Sequence, residues 1–262
     1  MNERTRVLAV AGTDGWIRHR LSRAVAGAGI TVRDMGAGSA GLRGVDTLVL
    51  LPTMVPTSPR SAVRDVGVAS AGVLFAATRA DSVPRIVMLS RAHSGDAPTD
   101  SYLGALATVE RMAVNTGAKV TIVRVTHPFG DRSDPGPFVD ALLHRRATPE
   151  ANTEANGVDP VVEPVHVDTV VDVLVAAIDG RLSPGLSEVG GPDRMPLSAF
   201  LATAQAAGLD GRSSARRRLR LFGGGDPLAD LLARDAVASS RYRPPVDARR
   251  PSLADAWHPS SH

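Results

Sequence analysis

The chain has 262 residues, of which 43% are hydrophobic and only 3% aromatic, and its formal net charge is +3. This length is enough for one large α/β domain, and small aliphatic residues suit a sheet buried between helices. The absence of cysteine excludes disulfides, thiolate catalysis and cysteine metal sites. The small charge excess gives no reason to expect nucleic-acid binding, and no apolar run reaches membrane-spanning length.

The two ends of the chain carry few functional signals. The polar stretch 1–6 runs directly into an apolar segment, unlike a signal peptide, so we expect a cytoplasmic protein. The arginine-rich composition, with one lysine, is typical of a GC-rich bacterial genome. The basic cluster between Arg212 and Arg220 is interpreted as a solvated helix face or loop. The alternative, an anion-binding patch, lacks the interleaved aromatic residues that single-strand binding needs.

Apolar runs alternate with segments of helical spacing along the first half of the chain. The predicted strands are 6–10, 30–35, 45–51, 85–90 and 119–125, and the predicted helices between them are 16–29, 61–79 and 100–116. Strands that alternate with helices of this length predict βαβ units, a parallel sheet and right-handed crossovers.

The pattern is looser after residue 130. It predicts helices at 138–146, 168–179, 197–207 and 227–238, an extended segment at 161–167 and a strand at 186–189. We therefore expect a Rossmann-type core over residues 1–130 and a small substrate-binding part over residues 131–262. The second part is expected to pack on the first as a single structural domain.

Short motifs recur at matching places in these elements. They are Gly12–Gly15, Gly44–Asp46, Leu89–Ser90, Tyr102 with Glu110, Thr121–Arg124, Phe129–Gly130, Val165–Asp168 and Gly190–Pro192. In this order they resemble the extended or atypical short-chain dehydrogenases/reductases, which include the NAD-dependent epimerases/dehydratases and NmrA-like proteins. The resemblance covers roughly residues 6–205. It implies a doubly wound parallel α/β fold with its ligand at the carboxyl ends of the strands.

The resemblance also implies where a dinucleotide would bind. In this family a G-x-x-G-x-x-G turn lets backbone amides approach the pyrophosphate of NAD(P) at a helix N-terminus. The corresponding cofactor-binding residues are Gly12, Thr13, Gly15, Trp16, Ile17 and Arg18. Arg18 replaces the third glycine and is expected to obstruct the turn or, alternatively, to face outward and contact phosphate. Asp14 adds a negative charge beside the pyrophosphate position.

The second predicted strand departs from the family as well. A ribose-binding carboxylate is expected near Gly36, and Asp34 could reach the same side by strand alternation. Only the segment 36–44 precedes the next strand, which is too short for the helix and strand that normally intervene. We expect a sheet that lacks one strand, with an open or absent adenine pocket. These departures favour a protein without a cofactor, with NADP or NAD as the alternative if the site is still used.

The family's catalytic pair is incomplete. The resemblance implies a tyrosine and, four residues later on the same helix face, a lysine. Tyr102 is present, but Leu106 stands in the lysine position, and the only lysine of the chain is Lys119. Without a nearby cation Tyr102 is predicted to donate a hydrogen bond at neutral pH rather than to act as a base. Ser90, at the family's serine position, and His127, after the fifth strand, complete the candidate catalytic set.

Other residues are assigned binding or structural roles. The candidate substrate-binding residues are Thr53, Met54, His93, Phe129 and Phe138, which favour a small apolar or aromatic ligand. Arg124 and Asp168 are expected to anchor the C-terminal part, and His166 to be structural. No spacing of His, Asp and Glu indicates a metal site. The helices at 61–79 and 100–116 could support a homodimer.

Three functional hypotheses stay open, because fold alone does not assign function. The first is an enzyme without nicotinamide chemistry that cyclises, dehydrates or isomerises a small apolar metabolite, in bacterial specialised metabolism. The second is an NAD(P)H-dependent reductase or epimerase with atypical motifs. The third is a non-catalytic NmrA-like ligand sensor or accessory subunit.

Overall fold

The computed structural model describes residues 5–35, 41–56, 66–98, 101–147, 159–209, 228–232, 236–239 and 251–257. Its strands are β1 (Arg6–Gly12), β2 (Ile30–Met35), β3 (Thr47–Leu51), β4 (Arg85–Arg91), β5 (Lys119–Val125), β6 (Pro128–Phe129), β7 (Val161–Val162), β8 (Val165–His166), β9 (Gly185–Val189) and β10 (Met195–Pro196). Its helices are α1 (Gly15–Val25), α2 (Val68–Ala80), α3 (Tyr102–Val114), α4 (Pro137–Ala147), α5 (Val167–Ile178), α6 (Leu197–Ala206), α7 (Ala229–Leu232) and α8 (Leu253–Trp257).

The core is a six-stranded parallel sheet in the order β2-β1-β3-β4-β5-β9, flanked by helices on both faces. Because both faces are covered, the inner strands are nearly continuous apolar runs, and all five residues of β3 are buried. Helices α1 and α5 cover one face through residues such as Leu21 and Leu174. Helices α2 and α3 cover the other face through Phe75 and Leu106. The predicted doubly wound α/β fold is confirmed.

The sheet ends at β2, as expected for a sheet that lacks one strand of the family's fold. Both β2 and β3 pair with β1, one on each side, and no strand lies beyond β2 in the part of the chain described. Residues 41–46 of the connection contain neither helix nor strand, but Leu42 and Val45 are buried on the α2/α3 face. The Leu42 amide donates to the Asp81 carboxylate at 2.5 Å, which ties this short connection to the end of α2.

The residues after position 130 contribute to the core itself. Strand β9 pairs with β5, and α5 lies beside α1 on the sheet. The helix predicted at 227–238 is wrong at its end, because only α7 is helical among the described residues there and Ala236 forms a β-bridge with Val162. No described helix has both the length and the apolar character needed to cross a bilayer.

Candidate functional site

The N-terminus of α1 carries its own carboxylate. Asp14 caps the helix and is only 6% exposed. Its carboxylate accepts hydrogen bonds from the Ile17 amide at 2.9 Å and from the Met54 amide at 3.3 Å. Burial raises the pKa of Asp14, and these amides and Arg18 oppose the shift. The free amides of a helix N-terminus are what bind a pyrophosphate in a Rossmann turn, so Asp14 occupies that position.

Arg18 crosses the same turn inward rather than facing outward. Its guanidinium donates to both carboxylate oxygens of Asp34, at 2.9 and 3.1 Å, and to the carbonyl of Gly12. The carboxylate that could have bound a ribose is therefore engaged by the arginine that replaces the third glycine. Gly12 itself lies so close to the backbone of Leu51 that a Cβ would overlap its carbonyl.

Trp16 extends from α1 to the loop between β6 and α4. Its indole nitrogen donates to the Asp134 carboxylate at 2.9 Å, and its ring packs against Gly130 and Gly136. Arg20 lies over the ring at 4.6 Å and pairs with Asp134 at 2.6 Å. These contacts hold the loop against the start of α1.

These residues do not fit the pyrophosphate of NAD or NADP. A pyrophosphate would need the amide of Ile17, which Asp14 uses, and it would place negative charge beside that buried carboxylate. Thr13 and Gly15 are exposed at the turn. The arrangement can stabilise the turn and join β1, β2 and α1, but it presents no open phosphate cradle.

A second polar group lies at the carboxyl ends of β4 and β5. Arg91 is 2% exposed and His127 is also buried, and the Arg91 Nη2 atom lies 2.5 Å from His127 Nδ1. Phe138 stacks on the His127 ring at 4.2 Å and lies 5.6 Å from the Arg91 guanidinium. Burial lowers the pKa of Arg91 to about 10, so it stays charged at neutral pH. Burial and the Arg91 charge hold the pKa of His127 well below its usual range.

The hydrogen bond between these residues determines the histidine tautomer. A guanidinium only donates, so Nδ1 of the neutral His127 ring accepts and Nε2 carries the proton. Within the described residues, His127 Nε2, Arg91 Nη1 and the Ser90 hydroxyl are buried without a hydrogen-bond partner. Buried polar groups are nearly always satisfied, so these atoms need an explanation.

A cleft lies beside Arg91 and His127, and we call it the Arg91 cleft. It encloses about 230 Å³ free of protein atoms, solvent at its mouth included, and its interior has room for about one water molecule. The lining residues are Arg91, Ala92, His93, Leu103, Val125, Thr126, His127, Leu231 and Ala236. His93, in a left-handed conformation, has Nε2 3.2 Å from the Val237 carbonyl.

The structure separates the candidate catalytic residues. Only His127 lines the Arg91 cleft, and Ser90 lies outside its lining. The buried Tyr102 donates its hydroxyl to the backbone carbonyl of Thr53 at 2.5 Å, and Thr53 donates its own hydroxyl to Val55. The expectation that Tyr102 acts as a hydrogen-bond donor agrees with this contact, although its partner is the protein backbone. The position expected to hold a lysine, Leu106, is fully buried in the core.

Two candidate substrate-binding residues lie elsewhere. Met54 is buried in the apolar cluster on the α1/α5 face. Phe129 packs in an aromatic cluster with Phe200 and Trp257. Neither lines the Arg91 cleft, whereas His93 lines it and Phe138 supports it from behind His127.

The residues assigned structural roles form two groups. Arg124 donates to Glu110 and Glu188, which joins β5 to α3 and β9. His166 caps α5 by accepting from the amide of Asp168, whose side chain is exposed. Asp168 therefore contributes to the helix start rather than anchoring the C-terminal part. In the described ranges, no three His, Asp or Glu side chains gather as metal ligands.

Sequence reasoning missed Arg91 as a site residue. Arg91 directly follows the apolar strand that Ser90 ends, and strand ends at this edge carry ligand-binding groups in Rossmann folds. The position of Arg91 at the end of this strand was therefore a usable signal. The sequence did not show that its side chain would be buried without a carboxylate from the described residues beside it. The cap formed by Asp14 had a clearer signal, because an aspartate immediately before a helical pattern is a common N-cap.

Neither a protein-family model nor a curated protein sequence matches the chain. Solved structures do match its fold. A UDP-glucose 4-epimerase from Thermotoga maritima, with UDP-glucose, matches at a TM-score of 0.64 and 16% identity over 96% of this chain and 96% of that chain. TunA, an NAD-dependent NDP-hexosamine 5,6-dehydratase, matches at a TM-score of 0.58 and 22% identity over 79% of this chain and 82% of that chain. A dTDP-4-dehydrorhamnose reductase from Clostridium acetobutylicum matches at a TM-score of 0.59 and 15% identity over 78% of this chain and 81% of that chain.

Identities of this size show a shared fold and carry no activity over to this chain. The matches agree with the parallel sheet and the flanking helices. The chain has the same parallel α/β fold as these solved structures.

Proposed function

We propose that this protein is a short-chain dehydrogenase-like enzyme that works without a nicotinamide cofactor. It would use acid/base chemistry to cyclise, dehydrate or isomerise a small, largely apolar carbonyl compound. The observation that carries this proposal is the Asp14 carboxylate on the N-terminus of α1, bonded to the amides of Ile17 and Met54. With Arg18 held on Asp34, the chain itself fills the phosphate and ribose positions of a Rossmann turn.

The chemistry is assigned to the Arg91 cleft. His127 is neutral and presents an Nε2–H group that has no partner among the described residues, as an imidazole that polarises a carbonyl oxygen would. Such a hydrogen bond stabilises the negative charge that develops on the oxygen when a neighbouring carbon loses a proton. Arg91 holds the tautomer by donating to Nδ1.

His93 is the second proton-transfer group of the proposal. Its Nε2 must carry the proton where it meets the Val237 carbonyl, since a carbonyl oxygen only accepts. The other ring nitrogen, Nδ1, then has a lone pair that can accept a proton from a substrate carbon. One cleft is thus lined by a histidine that donates a hydrogen bond and a histidine that can accept a proton. This pair fits proton abstraction from the carbon beside a carbonyl.

One of the matched structures supports the proposed metabolic setting. TunA is described as involved in tunicamycin biosynthesis, so this fold serves specialised metabolism there. We propose a comparable setting for this chain, with a different chemistry because the dinucleotide turn is filled.

We expect calorimetric titration with NADH and NADPH to show no binding up to millimolar nucleotide, because the amide of Ile17 is not available. The matched variant Asp14→Thr/Arg18→Gly frees the turn while keeping a side chain that can cap the helix. It is expected to gain weak nucleotide binding. A micromolar dissociation constant for the unaltered protein would contradict the proposal.

Proton abstraction can be tested without knowing the substrate. The protein, free of nucleotide, is incubated in D2O with butanone and 2-oxobutyrate, and loss of the proton signals beside the carbonyl is followed by NMR. We expect exchange faster than in buffer, and His127→Asn to lower the rate at least tenfold, within the range for general acid/base groups. His19→Asn, at an exposed position of α1, is the control and should leave the rate unchanged. Equal rates for both variants would remove His127 from the mechanism.

A further inference from the structure

Among the residues that the structure describes, Arg91 is a buried cation without a counter-ion. Its residue is 2% exposed, and no carboxylate pairs with it among the described residues. Its charged group contacts a neutral histidine and the face of Phe138, and neither contact supplies a negative charge. Taking a guanidinium out of water is unfavourable unless a paired anion compensates it. The folded protein therefore retains a charge that a ligand can neutralise.

The donors left free at this place match an anion. Arg91 Nη1 and His127 Nε2 are both buried, both carry hydrogen, and both lack a partner in the part of the chain that the structure describes. The residues that bear them are in direct contact through their other nitrogen atoms. A substrate can therefore place a carboxylate oxygen at the charged donor of Arg91 and a carbonyl oxygen at the neutral donor of His127.

The charge and size of the Arg91 cleft restrict the kind of anion. Its lining holds one permanent charge, that of Arg91, and the rest is apolar or neutral apart from the titratable His93. A monoanion cancels this charge, whereas a phosphate dianion would leave a buried excess of negative charge. The interior has room for about one water molecule, which suits the oxygen of a small planar group better than a phosphate.

We infer that the substrate of the proposed enzyme carries a carboxylate bound by Arg91, with its carbonyl oxygen at His127 and an apolar body that contacts Leu103, Val125 and Leu231. The inference rests on the proposed function for its reaction, but the binding of the carboxylate does not depend on it. The carboxylate also explains why the fold keeps a charged group at a site where an apolar residue would pack more favourably.

Calorimetric titration with propionate, at an ionic strength held constant with chloride, tests the carboxylate site directly. Propionamide has the same shape without the charge, so it is the control on the unaltered protein. We expect propionate to bind at least tenfold more tightly than propionamide. Arg91→Met should weaken propionate binding at least tenfold and leave the melting temperature equal or higher. Arg85→Met alters the other end of β4, where the guanidinium donates to the Ile178 carbonyl, and should keep the affinity for propionate.

The outcomes separate the two proposals. Equal affinities for propionate and propionamide, or unchanged propionate binding by Arg91→Met, would overturn the carboxylate site and leave the nucleotide result standing. Tight NADH binding would overturn the proposed cofactor-free enzyme and leave the propionate result standing. If Arg91→Met fails to fold, the comparison of the acid with its amide on the unaltered protein still decides the matter.

Discussion

Replacing Trp257 with alanine is expected to lower the free energy of unfolding by about 3–5 kcal/mol, the usual cost of removing a buried aromatic side chain. Trp257 is fully buried, and its ring lies 5.4 Å from both Phe129 and Phe200. Its indole nitrogen donates to the Gly130 carbonyl at 2.9 Å, so the variant also leaves a buried acceptor without its partner. The measurement is guanidinium unfolding followed by circular dichroism.

Trp257→Phe is the matched control for this effect. It keeps most of the ring contacts and loses only the indole N–H, so a loss of about 1–2 kcal/mol is expected. A loss below 1 kcal/mol in Trp257→Ala, with an unchanged denaturant slope, would show that α8 does not pack on the aromatic cluster in solution.

Replacing the buried Glu110 with glutamine is expected to cost about 3 kcal/mol, because it removes the main negative charge that pairs with the partly buried Arg124 guanidinium. Glu110 accepts two hydrogen bonds from Arg124, at 3.0 and 2.7 Å, and one from Ser94 at 2.8 Å. Burial alone would lower the pKa of Arg124, but Glu110 and then Glu188 raise it above its ordinary value. Glu188 lies 3.5 Å away and keeps the arginine partly compensated in the variant. Equilibrium unfolding of the variant and the unaltered protein gives the difference.

The double variant Glu110→Gln/Arg124→Met separates the pair from the packing around it. The double variant leaves no unpaired guanidinium. Its loss of unfolding free energy is therefore expected to be smaller than the sum of the two single losses by 1 kcal/mol or more. Additive single effects would mean that Glu110 and Arg124 contribute independently, and the network would then not hold α3 against β5 and β9.

Most of the fold follows from local patterns. Strands β1, β4 and β5 were predicted at nearly their observed bounds because a strand buried on both faces is a run of aliphatic residues that any window detects. The short connection after β2 predicted an edge strand by chain length alone. The helix predicted up to residue 238 was wrong because helical spacing does not show which segment a neighbouring strand will pair with, and Ala236 meets Val162 across the fold.

The candidate site was less accessible from the sequence. The sequence shows directly that Arg18 replaces the third glycine and that Leu106 replaces the lysine, since both positions are fixed by the spacing of the family's motifs. The direction of the Arg18 side chain is not visible in the sequence, because a long side chain can face phosphate or cross to Asp34. The distance between β2 and α1 in the folded chain decides which contact forms. Met54 and Phe129 were placed in the pocket by position along the chain, whereas packing places them in apolar clusters.

The sequence by itself determined the strand and helix order, the missing strand, the absence of cysteine chemistry and the absence of a lysine beside Tyr102. These properties depend on residue types, spacing and length, which are written in one dimension. The tertiary structure alone decided that Asp14 caps the start of α1 and that Arg91 is buried against His127 with no carboxylate of the described residues paired to it. Burial and pairing depend on which segments meet after folding, because the free energy of a charge is set by everything that surrounds it.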